Sequence, residues 1–524
     1  MHFTAHGELQ LLALLVFFGV VLVAATVVRL PLPILLIAGG LLLGFLPGLP
    51  RVVLPPDLVL VAILPPLLYS SAFFTGLRDL RTNLRPISLL AIGLVAVTTV
   101  TVALVAHAAV SGLTWGAAFT LGAIVSPTDA LAATEIARNL GAPRRIVSII
   151  EGESLVNDGT ALVLYKTAVA AAVAGSFSLF DASWRLVVNV IGGIAVGLAV
   201  GWVVRQVRLR IDDTPTEVSL ALLSGYFAYL PASAIGVSGV LAAVTIGVYM
   251  GWYTPQLTTV QTRLSGNAFW EILVFVVNAL LFSLIGFQLH AIVNRLDGRS
   301  TSSLLVDGLI VSAAVILSRL LWAPVMTVVP RVLFPRVRAR DPYPPWQYPV
   351  VIAWAGIRGA VSLAAALALP NDVPGRDLIV FITFVVILVT LVGQGLTLPG
   401  LIRLLRIQTD DGAEREDAKA RIKAADAALQ RLAELEGEEW VYDDTAERLR
   451  GSYRFRRNRY QARLDGVDDD GVEDRSQRYQ RLRRELLDAE REAVLRLRNE
   501  GVITEDVMHR VERDLDLEDS RLDV

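Results

Sequence analysis

The sequence predicts an all-α polytopic membrane protein with about 13 transmembrane helices and a charged helical tail. Of its 524 residues, 54% are hydrophobic and 19% are charged, which is too apolar for a soluble chain of this length. Residues 407–524 contain 32 of the 50 acidic residues and 23 of the 48 basic residues. The chain therefore divides into an apolar part, 1–406, with more basic than acidic residues, and an acidic tail, 407–524.

The helices of the apolar part are predicted from runs of mostly apolar residues long enough to cross a bilayer. Backbone polar groups within hydrocarbon must be satisfied inside each segment, which favours helices. The first segment has no basic residues before it, unlike a secretory signal, so it is expected to be retained. The predicted segments are 9–28, 31–48, 57–75, 87–109, 115–138, 145–173, 185–206, 216–231, 236–252, 268–291, 304–329, 347–369 and 377–404.

The loops between these segments predict the orientation of the protein. Loops after odd-numbered helices, with the end of the last helix, contain 17 arginines, whereas the other loops contain 5. Because loops rich in Lys and Arg stay in the cytoplasm, the N-terminus is expected outside and the C-terminal tail inside. The expected location is a bacterial-type plasma (inner) membrane.

The tail has the composition of soluble helices. Residues 413–437 and 475–511 are rich in Ala, Leu, Glu and Arg and are predicted to be helical. Residues 465–471 (DGVDDDG) are interpreted as a solvated linker, because the closing Glu and the spacing of a calcium-binding loop are missing. The tail is expected to regulate the membrane part or to stabilise a dimer, and its ligand or partner is unknown.

Acidic residues within predicted helices 5 and 6 are candidates for a functional site, because charge inside a membrane is costly. Helix 5 carries Asp129, and helix 6 carries Glu151, Glu153 and Asp158. Residues four apart share a helix face, so Glu153 and Asn157 form one pair and Ser154 and Asp158 another. A carboxylate and a hydroxyl on one face suit a hard cation such as Na⁺.

Helices 5 and 12 are each expected to be interrupted. Pro127 removes a backbone donor and disfavours helix before Asp129, and residues 355–359 (AGIRG) form a matching weak point. Unwound backbone frees carbonyl groups for cations and exposes helix dipoles. Two interrupted helices in corresponding positions of two halves indicate an inverted repeat and a transporter with a midplane site.

Two arginines also lie inside predicted helices, Arg319 in helix 11 and Arg358 in helix 12. If each neutralises one of Asp129, Glu153 and Asp158, one of these three carboxylates remains unpaired. Desolvation favours the neutral form of such a group, so it can hold either a proton or a cation. Asp158 is the candidate, because Asn157 beside it carries no charge. The competing interpretation is a buried ion-pair network that only joins helices.

Four short motifs, which follow one another along the chain in the family's order, resemble the cation/proton antiporter-1 family. These are the bacterial sodium/proton antiporters related to animal sodium/hydrogen exchangers. The resemblance covers roughly residues 10–405. The most specific motif is 153–159 (ESLVNDG), which is similar to the Asn-Asp signature of helix 6 in that family. The other motifs are 126–129 (SPTD), 356–360 (GIRGA) and 64–69 (LPPLLY).

The resemblance implies roles for these residues. Asp158 would carry the ion and the proton, and Asp129, Ser154 and the Thr128 carbonyl would complete the shell of the transported Na⁺ or K⁺. Glu153 would pair with Arg319, and Arg358 would balance Asp129. Asn157 beside Asp158 resembles the electroneutral branch, and the family implies homodimers and alternating access. Ser70 and Ser71 stand where many relatives have an acid, which leaves the choice of cation open.

The sequence thus predicts an electroneutral Na⁺ or K⁺/H⁺ antiporter without a cofactor. The alternatives are a cation-coupled symporter and a transport-inactive sensor that signals through the tail. A channel or an intramembrane enzyme is disfavoured, since no filter sequence and no His-Glu-x-x-His or Gly-x-Ser-x-Gly motif is found. The absence of cysteine excludes disulfides and thiolate sites. Membrane lipid and a second copy are the expected partners, and nucleic acid is not.

Overall fold

A computed structural model describes most of the chain, namely residues 19–20, 23, 32–44, 59–174, 179–293, 300–370, 372–407, 411–465 and 472–520. The regular structure of these residues is entirely helical. The predicted all-α fold is thereby confirmed. The first predicted span, 9–28, falls almost entirely outside the described residues, so the number of spans stays a prediction.

The helices up to residue 407 correspond closely to the predicted segments. Three π-helical stretches, Val59–Ile63, Leu89–Leu94 and Val389–Gln394, continue into or join α-helices. The α-helices are Leu32–Gly44, Leu64–Phe74, Leu77–Thr82, Leu84–Ser88, Val95–Ala109, Trp115–Val125, Ala130–Asn139, Arg144–Ala174, Leu179–Arg208, Thr214–Ala234, Gly239–Leu257, Val260–Val293, Thr301–Leu333, Pro335–Arg340, Gln347–Trp354, Ala360–Leu367, Arg376–Leu388 and Gly395–Leu404.

Six helical stretches within the described residues are long and apolar enough to cross a membrane. Of the other predicted spans that the structure describes, Thr214–Ala234 and Gly239–Leu257 are continuous helices of 21 and 19 residues that are less apolar than these six. The rest are short, interrupted, or carry the charged residues of helix 6. The structure therefore agrees with the predicted polytopic membrane protein. The six stretches are Leu84–Ala109, Trp115–Asn139, Val187–Arg208, Val260–Ser283, Ser302–Leu333 and Arg376–Leu404.

Two apolar clusters pack around the interrupted helices. One surrounds the end of the molecule at which Trp115–Val125 begins, with Leu113, Leu369 and Val373 buried together. The other lies nearer the arginine-rich loops and includes Ile146, Ile352 and Phe384. We call these two ends the apolar end and the arginine-rich end. The interrupted helices are thus held at both ends by tightly packed side chains.

The chain forms two compact units, Met1–Thr409 and Asp410–Val524. In the second unit, Asp411–Leu435 packs against Asp443–Asp465, where Ala425, Ala446 and Tyr460 are buried. Val472–Asn499 packs against Glu505–Ser520 around Leu487 and Leu515.

One prediction for the tail was wrong. Residues 475–511 were predicted to be helical, but the structure ends one helix at Asn499 and begins the next at Glu505, so residues 500–504 are not part of either helix. Gly501 lies between them with φ +73°, a left-handed conformation that glycine adopts without the cost of a Cβ atom. Most of the predicted linker, 465–471, lies outside the described residues.

Candidate functional site

The two interrupted helices cross at their unwound stretches. Trp115–Val125 and Ala130–Asn139 are separated by residues 126–129, and Gln347–Trp354 and Ala360–Leu367 by residues 355–359. The N–H of Asp129 donates to the carbonyl of Ile357 at 2.7 Å, which joins the two stretches directly. Four helix ends therefore meet inside the protein, two with free N–H groups and two with free carbonyls.

Arg358 is bound to the carbonyl ends. Its Nε donates to the carbonyl of Val125 at 3.1 Å, and Nη1 donates to the carbonyl of Gly356. Both carbonyls lie at or just beyond the C-terminus of a half-helix, where a positive charge is favourable. The structure does not place Arg358 in a salt bridge with Asp129; its guanidinium neutralises backbone dipoles instead.

Asp129 is bound to the N–H ends. Its Oδ1 accepts from the N–H of Leu131 at 2.9 Å and so caps Ala130–Asn139. The same carboxylate lies against Gly359, where the opposite half-helix begins, and a methyl group there would overlap it. One carboxylate thus faces two helix N-termini, just as the guanidinium of Arg358 faces two helix C-termini.

Glu153 and Arg319 form a fully buried ion pair beside the crossing. Nη2 of Arg319 lies 2.7 Å from Oε2 of Glu153, and Nη1 donates to the other carboxylate oxygen. Each side chain is only 1% exposed. Arg319 also donates to the carbonyls of Ile352 and Ala353 at the end of Gln347–Trp354. The structure therefore brings these two residues together.

The side chain of Thr128 connects this pair to helix 6. Its hydroxyl donates to Oε1 of Glu153 at 3.1 Å and accepts from Nδ2 of Asn157 at 2.9 Å. Ser154 donates to the Thr128 carbonyl at 2.8 Å and accepts from the N–H of Ala130 at 3.3 Å. Ser154 and Asn157 thus hold the unwound stretch against Arg144–Ala174.

Asp158 differs from every other charged residue at the crossing. It is 6% exposed, yet no hydrogen bond or ion pair reaches it from the part of the chain that the structure describes. Its carboxylate borders a cavity of about 800 Å³ that also contacts Asp129, Thr128 and Ser154. A buried carboxylate without a protein partner favours a proton or a bound cation.

The cavity leads from Asp158 to the arginine-rich end. It is lined there by Thr75, Glu135, Asn139, Glu151 and Glu271. Arg138, which also lines it, forms an ion pair with Glu151. Acidic side chains outnumber basic ones along this wall, so its field attracts cations. At the apolar end, Leu113 and Leu369 are buried in one packed cluster.

The predicted site residues divide into two groups. Asp158, Asp129, Ser154, Thr128, Ser70 and Ser71 line the cavity. Glu153, Asn157, Arg319 and Arg358 lie behind it, each at most 1% exposed. The hydroxyl of Ser70 donates to the Leu67 carbonyl, whereas Ser71 is exposed.

Sequence reasoning did not identify Asn267, Trp270 and Asn278, which line the cavity from Val260–Val293. The two asparagines are polar residues within an apolar helix, and this pattern could have identified them as candidates for the cavity lining. Among the described residues, no group of three or more His, Cys, Asp and Glu side chains forms a metal cluster. The carboxylates of Asp129 and Asp158 and the hydroxyl of Ser154 line the cavity and are oxygen ligands of the kind that suits a hard cation.

The chain is similar to known proteins along most of its length. Residues 12–404 match the family model described as sodium/hydrogen exchanger, transmembrane. An uncharacterized Na⁺/H⁺ exchanger of Mycobacterium tuberculosis is 36% identical over 523 residues, covering 96% of this chain and 95% of that protein. The low-affinity Na⁺/H⁺ antiporter NhaS1 of Synechocystis is 32% identical over 446 residues, with 84% and 81% covered.

A solved structure has a similar fold. The sodium proton antiporter MjNhaP1 of Methanocaldococcus jannaschii matches with a TM-score of 0.58 and 18% identity, covering 76% of this chain and 99% of that one. At this identity the likeness concerns the fold alone.

Proposed function

Because the chain belongs to the sodium/hydrogen exchanger family, we propose that it exchanges Na⁺ or K⁺ for H⁺ at Asp158. The observation that carries this proposal is the isolation of Asp158, which faces the cavity without a partner among the described residues. A proton and a cation compete for this carboxylate. Each therefore leaves when the other binds.

The neighbouring charges support an electroneutral exchange of one cation for one proton. Glu153 is neutralised by Arg319, and Asn157 carries no charge. Asp129 faces two helix N-termini and compensates them. If Asp158 alone changes its occupant, each cycle moves one positive charge in each direction.

The cavity supports alternating access. We interpret the structure as the inward-facing state of the transporter. It reaches the arginine-rich end, which the distribution of arginines assigns to the cytoplasm. In this proposal the protein lies in the plasma membrane with the N-terminus outside, the tail in the cytoplasm, and two copies forming a homodimer. Residues 407–524 would regulate transport or stabilise that dimer.

Proteoliposomes containing a pH-sensitive dye test the proposal. Addition of Na⁺, K⁺ or Li⁺ should collapse an imposed pH gradient with the native protein and not with Asp158→Asn. Asp212→Asn, at an exposed aspartate outside the cavity lining, serves as the control and should retain exchange. Transport that requires an added organic solute would favour a symporter, and cation binding without flux would favour a sensor.

Electroneutrality is measured in the same vesicles. An imposed membrane potential should leave the initial rate of exchange unchanged if one cation exchanges for one proton. A rate that follows the potential would contradict the 1:1 stoichiometry while leaving the exchange itself in place.

A further inference from the structure

Three arginines converge on a single carboxylate at the arginine-rich end, outside the cavity. Nη2 of Arg145 lies 2.9 Å from Oδ1 of Asp341, and Nη2 of Arg331 lies 3.0 Å from Oδ2. Arg85 donates to the same Oδ2. These residues come from the starts of Leu84–Ser88 and Arg144–Ala174, the end of Thr301–Leu333 and the loop after Pro335–Arg340.

The three arginines use their N–H groups differently. Arg331 is 4% exposed and has an acceptor at each nitrogen: the carbonyls of Asp341 and Thr327 and the Asp341 carboxylate. Arg85 and Arg145 each donate to Asp341 through one nitrogen. Their other N–H groups have no acceptor among the described residues, and the Nε of Arg85 is buried. Buried donors are nearly always satisfied, so this orphan donor indicates a missing acceptor.

The charge of this cluster is unbalanced. Three guanidinium groups face one carboxylate, which leaves two positive charges. Arg85, Arg145 and Arg331 also line a small cavity of about 30 Å³, together with Tyr348. That space holds about one oxygen atom rather than a whole ligand. Asp341 already places a carboxylate against these arginines, which indicates that their geometry suits an oxyanion.

Exposed apolar and aromatic side chains surround the cluster on neighbouring segments. Leu333, Phe334, Tyr343 and Trp346 are all exposed. Trp and Tyr concentrate where a membrane meets water. The cluster therefore lies at the depth of lipid headgroups, on the side that the arginines assign to the cytoplasm.

We propose that Arg85 and Arg145 bind a phosphate group, oriented by Asp341 and Arg331. One phosphate oxygen accepts from the buried Nε of Arg85, and the others accept from the free N–H groups of Arg145. The source is either the headgroup of an anionic phospholipid or free phosphate. The bound group joins the start of Arg144–Ala174, the helix of Asp158, to the neighbouring start of Leu84–Ser88.

Thermal unfolding of the full chain in a non-ionic detergent tests this site without using transport activity. Short-chain phosphatidylglycerol, short-chain phosphatidylcholine and inorganic phosphate are added in turn. An occupied site should raise Tm by on the order of 2 °C. Arg85→Gln and Arg145→Gln should lose most of the rise. Arg336→Gln, an exposed arginine outside the cluster, should keep it.

The added compounds distinguish free phosphate from a lipid headgroup as the bound group. A rise with inorganic phosphate identifies a free anion as sufficient, and a rise with phosphatidylglycerol alone identifies a lipid headgroup. A rise of equal size in native protein and in Arg145→Gln would overturn the proposal, as would no anion-dependent rise in native protein. Arg145 is 38% exposed, so its variant decides the question even if Arg85→Gln does not fold.

Discussion

At the scale of single residues, Glu153 and Asp158 show how neighbours set the role of a buried acid. Both lie on Arg144–Ala174 and both are buried. Glu153 is bound by Arg319 and Thr128. Asp158 faces the cavity. The first arrangement fixes a charge in place, whereas the second leaves a carboxylate available to exchangeable ions.

Removal of one partner from the Glu153–Arg319 pair is expected to destabilise the protein. Glu153→Gln or Arg319→Gln leaves the other charge buried and unpaired, which costs about 3–5 kcal/mol. The double variant buries no such charge, so its loss of stability should be smaller than the sum of the single losses by more than about 1 kcal/mol. Unfolding of detergent-solubilised protein measures these differences, and additive losses would argue against the pair.

Gly359→Ala is expected to slow exchange strongly while leaving the protein folded. The added methyl group overlaps the carboxylate of Asp129, which is also held by the N–H of Leu131. Displacement of Asp129 should lower the transport rate by about tenfold or more. Gly393→Ala is the matched control, since nothing lies within 4 Å of its added methyl group. Full activity of Gly359→Ala would show that the position of Asp129 is unimportant.

Sequence reasoning identified the charged residues of the site but not all of their partners. Counting acids against bases assigned one carboxylate to each buried arginine. That count cannot include backbone carbonyls, and these are the acceptors of Arg358. The cluster around Asp341 was missed for a related reason, because Arg85 and Arg145 lie far from Asp341 in the sequence and meet it only after the helices pack.

At the scale of helices, local chemistry predicted some interruptions and not others. Pro127 and the glycines around Arg358 marked both crossing points, and the structure interrupts the helices there. The interruption at Gly501 was not predicted, because helix formers surround a single glycine on both sides. Its positive φ depends on how Glu505–Ser520 turns back onto Val472–Asn499, which is a tertiary effect.

Asp341 is expected to stabilise the ends of three helices in a pH-dependent way. Burial raises the pKa of Asp341, but the hydrogen bond and charge of Arg145 and the charges of Arg331 and Arg85 outweigh it. The pKa therefore lies below its usual range. A lowered pKa stabilises the folded state above the unfolded value, about 3.9, and this contribution is lost as the pH falls through the folded value.

Asp341→Asn tests this linkage. Its Tm should lie below that of native protein at pH 7, and the difference should shrink as the pH falls below about 4. Asp212→Asn, at an exposed aspartate, should not differ from native protein at either pH. A difference between native protein and Asp341→Asn that is the same at pH 7 and at low pH would mean that the Asp341 charge contributes nothing.

At the scale of the whole molecule, the cavity and the apolar cluster are arranged on opposite sides of the crossing. The cavity reaches the arginine-rich end, and side chains around Leu113 and Leu369 pack at the other end. Alternating access requires that this asymmetry reverse during transport. The state described here should therefore admit a water-soluble reagent to the cavity from one side only.

The absence of cysteine allows a direct test of sidedness, because a single introduced thiol is the only one present. Ser71→Cys lies in the cavity, and Ser111→Cys lies in the turn at the apolar end. In oriented membrane vesicles, a membrane-impermeant thiol reagent should label Ser71→Cys from the cytoplasmic face and Ser111→Cys from the external face. The reverse pattern, with Ser71→Cys labelled from the external face and Ser111→Cys from the cytoplasmic face, would contradict the predicted orientation. Labelling of both from the same face would contradict a cavity that opens opposite the apolar end. Labelling of Ser71→Cys equally from both faces would show that the cavity alternates between the two sides on the timescale of labelling.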